Sequence, residues 1–217
     1  MSLSTIRDRV EQTLLDTSND IWDTDAIDEA IRVALDMYSA AWPNRSVQVY
    51  ELAGDGREIT LEEGTLAVLE VWWPYDEDAP SWPPNQVRGW RQVDMDGAAY
   101  LYLTSFAGGE PKEGDKVRVW FTTRQTILNL DSASATTIGY GHQSLIVTGA
   151  AGQAALSRAA DLVETTNVDL YQVGLLASWG KLKMREFTSA LEGLRAANAR
   201  RGAPWSEGWQ LDKWDGK

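Results

Sequence analysis

Apolar residues recur at helical spacing at the start of the chain. Ile6, Val10 and Leu14 stand four positions apart among charged residues, which predicts a short amphipathic helix over roughly residues 4–16. The polar run DTSND that follows breaks the pattern, so this helix is expected to end there.

A second apolar stripe predicts a longer helix immediately downstream. Ile27, Leu35 and Tyr38 belong to this stripe, and Thr24 precedes it as a residue type that favours the N-cap position. The helix is expected to run to about Ala41, because the proline two positions later cannot continue it.

The pattern then changes from helical spacing to alternation. Six short runs are rich in β-branched and aromatic residues, and they read SVQVYEL, REITL, TLAVLEVWW, VRGWRQVDM, AAYLYLT and KVRVWFTT. Asp96 and Gly97, between the fourth and fifth runs, are a strong signal for a two-residue hairpin turn. Residues 47–123 are therefore predicted to form an antiparallel β module of about six strands.

Helical spacing returns after a polar loop over residues 124–141. The stretch from Leu145 to Glu164 is rich in alanine and contains Gly149 and Gly152, which are small enough to let another helix approach closely. A longer helical stretch runs from Leu170 to about Ala199.

This order of elements predicts the α+β class. We expect a helical bundle of two N-terminal and two C-terminal helices, a central antiparallel β insert and an extended C-terminal tail. The expected segments are, in chain order, an N-terminal helix pair (1–46), the β module (47–123), a loop (124–141), the C-terminal helices (142–201) and a Trp-rich docking tail (202–217).

The tail carries three tryptophans without any helical or strand period. Trp205, Trp209 and Trp214 stand among Gly, Pro, Ser, Asp and Lys, although a terminal segment is usually polar. Two hypotheses account for them: the rings dock on another protein, or the tail folds back onto the β module of its own subunit.

Composition narrows the functional classes. The 217 residues include 11 tryptophans and no cysteine, which excludes disulfides, zinc ribbons and thiol nucleophiles. The N-terminus lacks the apolar core of a signal peptide, and no apolar run reaches the length of a membrane span. We therefore expect no membrane partner.

The net charge of −12 is unevenly distributed. Residues 1–141 contain 11 Lys and Arg against 24 Asp and Glu, whereas residues 142–201 contain 7 against 5. Tight binding to nucleic acid is not expected, because that affinity comes from neutralising phosphates. Lys181 and Arg185 share a helix face in the basic part, which is either an ordinary exposed face or a strip that faces DNA or a partner.

Candidate chemistry is sparse. His142 is the one histidine, and neither a nucleophile motif nor a phosphate-binding glycine loop accompanies it. We expect a structural or capping role for His142, and no catalytic residues, cofactor or metal ligands.

Two further hypotheses concern the aromatic stretch VWWPYDEDAPSWPP. Exposed rings of Trp72 or Trp73, together with Trp82 and Trp90, would form a carbohydrate-binding platform or another interaction module. The acids at 76–78 would serve a glycosidase, although three adjacent acids are more typical of a solvated turn. Since Trp72 and Trp73 are consecutive in a strand, one ring should face the core and the other should face out.

Three stretches resemble the head-to-tail adaptor (connector or head-completion) proteins of tailed bacteriophages. They are the pattern W-x-x-x-x-I-D-x-A-I from Trp22 to Ile31, the strand exit WFTTRQTILNL from Trp120 to Leu130, and a closing helix with Tyr171, Phe187 and Leu194. The resemblance covers roughly residues 5–200. The β insert of this chain is larger and richer in tryptophan than is usual in that family.

The resemblance implies a structural virion protein and not an enzyme. About twelve copies would form a ring under the portal protein, in the neck of the virion, after assembly in the host cytoplasm. Double-stranded DNA would pass through without sequence-specific binding. The tail tryptophans would dock on the portal, Tyr75 and Trp82 would contact the next neck or tail-completion protein, and Lys181 and Arg185 would face the channel or an interface.

Overall fold

The computed structural model describes residues 2–18, 20–53, 57–79, 85–87, 89–104, 110–164 and 169–201. The chain divides into two compact units. Pro43–Arg124 form one, called the β unit here, and the segments up to Trp42 and from Gln125 onward form the other, called the helical unit. Two helices, a set of strands and two further helices follow one another along the chain, which confirms the predicted α+β class.

The helical unit has four α-helices within the described residues. They are α1 (Leu3–Leu14), α2 (Thr24–Ala41), α3 (Gln143–Val163), which follows a short 3₁₀ turn (Tyr140–His142), and α4 (Leu170–Arg201). The predicted cap of α2 is wrong by one residue. The carboxylate of Asp23 accepts a hydrogen bond from the backbone N–H of Ala26 at 2.7 Å, and Thr24 is already helical. Asp and Thr both favour this position, so the sequence pattern does not separate them.

Small residues let α3 and α4 approach closely, as predicted. A Cβ added to Gly149 would lie 2.9 Å from the ring of Phe187, and one added to Gly152 would lie 3.0 Å from the side chain of Lys183. On α4, a Cβ at Gly180 would lie 3.0 Å from Leu156. Helix α3 also contacts α1 and α2, so it lies at the centre of the unit.

The core of the helical unit draws on all four helices and on the loop before α3. Its largest fully buried side chains are Ile6, Ile27, Ile31, Tyr38, Ile127, Ile146, Phe187 and Leu191. Polar groups connect the N-terminal and C-terminal helices as well, since the indole N–H of Trp22 donates to the carbonyl of Ala154 at 3.2 Å. Arg7 pairs with the buried Asp28 through two hydrogen bonds of 2.5 Å.

The β unit contains two three-stranded antiparallel sheets. Its strands are β1 (Asn44–Glu51), β2 (Glu58–Thr60), β3 (Thr65–Trp72), β4 (Trp90–Met95), β5 (Ala98–Leu103) and β6 (Lys116–Thr123). The strand orders are β1-β6-β3 and β2-β5-β4. Asp96 and Gly97 join β4 to β5 with φ angles of 52° and 80°, which confirms the predicted two-residue hairpin turn.

Alternation along β6 separates the core of the β unit from an outer sheet face. Val117, Val119 and Phe121 are buried with residues of both sheets, whereas Arg118 and Trp120 point to the other face. Trp72 lies opposite Arg118 and Glu70 lies opposite Trp120, and an irregularity in the register of β3 precedes Glu70.

Candidate interaction surfaces

Four of the predicted contact residues lie outside the described residues. They are Trp205, Trp209 and Trp214 of the tail, and Trp82 of the aromatic stretch. Their roles stay predictions. The described candidates are Tyr75, Lys181 and Arg185.

Tyr75 belongs to a cluster in which three aromatic rings surround Arg118. The carbon of the guanidinium lies 5.1 Å from the ring centroids of Trp72 and Trp120 and 5.2 Å from that of Tyr75. A guanidinium N–H also donates to the Tyr75 hydroxyl at 3.0 Å. We call Trp72, Tyr75, Arg118 and Trp120 the Arg118 cluster.

The cation of this cluster keeps free hydrogen-bonding capacity. Arginine has five N–H donors, and within the described residues Arg118 makes no ion pair with a carboxylate. The indole N–H of Trp120 is buried and has no acceptor in the described part of the chain. The remaining N–H groups of Arg118 can donate to a carboxylate or carbonyl oxygen supplied from outside the subunit.

Glu70 holds the edge of the cluster in place. Its carboxylate accepts from the indole N–H of Trp72 at 2.5 Å and also from the side-chain amide of Gln86. These bonds fix the orientation of the Trp72 ring, which in turn fixes the aromatic surface over which Arg118 lies.

The carbohydrate-binding platform stays a prediction, because Trp82 lies outside the described residues. Trp73 is only 4% exposed and belongs to the core, whereas Trp72 faces out, which confirms the predicted split between these neighbours. Trp90 is half-buried against the same core.

The acids after Trp73 are committed to local structure. The carboxylate of Asp76 accepts from the backbone N–H of Asp78 at 2.9 Å and from that of Ala79 at 3.3 Å. Glu77 pairs with Lys116 at 2.7 Å. This is the geometry of a solvated turn, and it raises the pKa of Lys116 through the bond to Glu77.

Lys181 and Arg185 border an apolar stripe on the side of α4 that faces away from the core. The buried residues of α4 include Val173, Gly180 and Phe187. Half a helical turn away stand three exposed apolar residues with spacings of four and seven, which we call the outer stripe: Tyr171, Leu175 and Leu182. Their exposed fractions are 69%, 49% and 52%.

The connection between α1 and α2 presents a second exposed apolar pair. Leu15 is 90% exposed and has a φ of 58°, in the left-handed region that a leucine rarely adopts. Ile21 is 51% exposed. We call Leu15 and Ile21 the apolar knob.

Buried Asp16 gives this connection a defined shape. Its carboxylate accepts from the backbone N–H groups of Trp22 and Ile21 at 2.9 Å and of Asp20 at 3.0 Å. These bonds, led by that from Trp22, lower the pKa of Asp16. Ile21 is thus tied to the residue that follows Leu15.

His142 has the structural role that the sequence predicts. Its Nδ1 lies 2.6 Å from the hydroxyl of Tyr38, and its ring packs edge-on against Trp42. Burial raises the pKa of Tyr38 to about 12, so the phenol stays neutral and can donate to His142. His142 stands at the start of α3, but its side chain makes no capping hydrogen bond.

The described residues offer neither a metal site nor a membrane-spanning helix. They contain no group of three or more His, Asp or Glu that could hold a metal ion. Nor does any helix among them combine the length and apolar character that crossing a membrane requires.

Sequence reasoning missed three of these features. The Arg118 cluster depends on the register of β3 against β6, which an alternating pattern does not reveal. The run DTSND marks the break after α1, but the left-handed conformation of Leu15 has no sequence signal, because this residue is neither Gly nor Asn. The sequence pattern groups Leu175 and Leu182 with Phe187 on one apolar side of α4, and this is wrong: Phe187 is buried, whereas both leucines are exposed.

Comparisons with known proteins give structural likeness only. No protein-family model matches this chain, and no curated protein does. The chain is similar to one in a solved structure described as "Virion of native gene transfer agent (GTA) particle", with 14% identity, a TM-score of 0.33, and coverage of 82% of this chain and 87% of that chain. It is also similar to one described as "Neck of empty GTA particle computed with C6 symmetry", with 13% identity, a TM-score of 0.30, and coverage of 82% and 91%. At these TM-scores the likeness assigns no function to this chain.

Proposed function

We propose that this protein is a head-to-tail adaptor of a tailed bacteriophage: a structural virion protein that forms a ring under the portal and joins the capsid to the tail. The observation that carries the proposal is the layout of the chain. A helical unit made from both ends of the sequence carries a β insert, which is the arrangement that the sequence resemblance implies.

The surfaces of the two units support a role in assembly. The helical unit leaves the apolar knob and the outer stripe exposed, and burying such side chains against a neighbour contributes roughly 1.5–3 kcal/mol each. The Arg118 cluster of the β unit offers N–H donors to a carboxylate. This cluster, which includes Tyr75, would contact the next neck or tail-completion protein.

The tail supplies the proposed contact with the portal. Trp205, Trp209 and Trp214 would be buried on docking, and tryptophan is among the commonest interface hot spots. DNA would pass through the ring without being held, because an acidic surface repels phosphates.

The proposal is tested by imaging. A chain with an N-terminal affinity tag is produced during particle assembly, captured, and examined by negative-stain electron microscopy. Rings or necks attached to a portal are the expected result. Bare monomers without capsid proteins would overturn the proposal.

Removing residues 202–217 tests the tail separately. The truncated chain should keep its melting temperature and lose its attachment to the portal. A large fall in melting temperature would instead favour the hypothesis that the tail folds back onto its own subunit.

A further inference from the structure

Two exposed apolar patches of the helical unit have no partner among the described residues of the same subunit. The apolar knob and the outer stripe are both open to solvent in the single chain. They therefore do not cover one another within a copy. A contact between them can form only between two copies.

The unpaired charges beside the two patches are opposite in sign. Asp20, Asp23 and Asp25 are exposed next to the knob, and residues 1–42 contain nine acidic and three basic residues. Lys181 and Arg185 are exposed beside the outer stripe, and neither side chain has an ion pair in the described part of the chain, whereas the nearby Glu186 pairs with Lys183.

Charge thus decides which patch meets which. Contact between two knobs would bring carboxylates together, and contact between two stripes would bring together Lys181 and Arg185 of both copies. Like charges across an interface are strongly unfavourable, whereas a knob on a stripe pairs acids with bases.

The knob is also built to hold its shape before binding. Leu15 occupies a left-handed conformation that suits glycine, yet it is a large, exposed apolar residue. Asp16 fixes the following turn through three backbone hydrogen bonds. Little ordering entropy is lost when a preformed surface binds.

We infer that copies of this protein associate head to tail, with the apolar knob of one copy packed against the outer stripe of the next. Such a contact uses a different surface on each partner, so it closes into a ring when the rotation between copies allows. The inference rests on the proposed ring and names the two faces through which its neighbours meet.

Cysteine cross-linking tests this contact directly, because the chain has no cysteine of its own. Particles are prepared with full-length Leu15→Cys/Leu182→Cys chain in place of the wild type, treated with a short bismaleimide, and analysed by denaturing electrophoresis. A ladder of covalent multimers is expected, since each copy is joined to two neighbours. The matched control is Leu15→Cys/Leu66→Cys, because Leu66 is an exposed leucine of the β unit.

The outcomes separate this inference from the proposed function. If the particles contain the chain but the first variant gives no more multimer than the control, the inference is wrong and the adaptor role stands. If particles assembled with the wild-type chain lack it, the adaptor role is wrong. In that case the Leu15→Cys/Leu182→Cys variant and its control are cross-linked as purified proteins at high concentration. Equal yields of multimer from the two variants would overturn the inference as well.

Charge reversal provides a second measurement. Lys181→Glu/Arg185→Glu in the Leu15→Cys/Leu182→Cys background should lower the yield of multimer by at least about tenfold. Adding Asp20→Lys should partly restore the yield, because it returns opposite charges to the contact. An unchanged yield in the reversed variant would contradict the proposed pairing.

Discussion

The helical unit and the β unit treat their outward-facing apolar groups differently. In the β unit, Trp72 and Trp120 on the outer sheet face lie around the guanidinium of Arg118. In the helical unit, α4 packs tightly on α3 through glycines, while Tyr171, Leu175 and Leu182 on its other side are left uncovered.

This difference indicates two kinds of contact. A covered aromatic face with free N–H donors suits a small, polar and geometrically specific contact. An open apolar stripe suits a larger dry contact, in which area removed from water supplies the free energy. The chain contains 11 tryptophans, yet the open apolar stripe of the helical unit contains none.

The largest effect is expected at the inner face of α4. Phe187→Ala should lower the free energy of unfolding by about 3–5 kcal/mol, because the ring is fully buried against Gly149 and leaves a cavity. Chemical denaturation followed by circular dichroism measures this loss. Leu182→Ala, on the exposed side of the same helix, should cost less than about 0.5 kcal/mol. Similar losses from both substitutions would erase the distinction between the two sides of α4.

A smaller loss is expected at the ion pair between α1 and α2. Arg7→Met leaves the buried carboxylate of Asp28 without its partner, which should cost about 2–3 kcal/mol. The matched control is Arg32→Met, whose partners Glu29 and Asp131 are exposed, and it should cost less than about 1 kcal/mol. Equal losses in a denaturation experiment would contradict the importance of burial here.

Acid should weaken the helical unit through Asp16. Its folded-state pKa lies below the ordinary value, so its contribution is complete above the unfolded-state pKa of about 3.9 and is lost as the pH falls through the folded-state pKa. Asp16→Asn should lower the melting temperature at pH 7, though less than Phe187→Ala does, and should flatten the dependence between pH 5 and pH 2. Asp20→Asn, at an exposed site, should leave the wild-type dependence intact.

The β unit should respond more mildly to loss of its outer cation. Arg118→Met removes the charge over three rings and the bond to Tyr75, which should cost about 1–2 kcal/mol. Tryptophan fluorescence should shift as well, because Trp72 and Trp120 lose their neighbour. Arg91→Met, at an exposed position of β4, is the control and should change neither quantity.

The smallest effect is expected at the apolar knob, and its sign is opposite. Leu15→Gly should raise the free energy of unfolding by up to about 1 kcal/mol, because glycine adopts the left-handed conformation without strain. Leu15→Ala keeps the strain and should give no such gain. A loss of stability in the glycine variant would show that Leu15 serves the fold of its own subunit.

The sequence predicted the elements better than their contacts. Helical and alternating periods located all the helices and strands of the described residues, and the Asp96-Gly97 turn was recognisable because its φ angles require such residues. Periodicity reports which residues share a face, and this is also why Trp72 and Trp73 were correctly assigned to opposite sides.

Contacts between distant positions were out of reach for the same reason. Arg118 meets Trp72 and Tyr75 through pairing of two strands whose register contains irregularities, and no local pattern encodes that register. For the tail and Trp82, only the amino-acid sequence bears on their proposed roles, because both lie outside the described residues.

The position of the β unit within the chain has a consequence for synthesis on the ribosome. The β unit is one continuous segment, so it can fold as soon as Arg124 has left the exit tunnel. Helices α1 and α2 emerge earlier, yet their apolar faces are covered only when α3 and Phe187 of α4 arrive. The apolar faces of α1 and α2 thus stay exposed from their synthesis until α3 and α4 have emerged. Binding of chaperones during translation should concentrate in that interval.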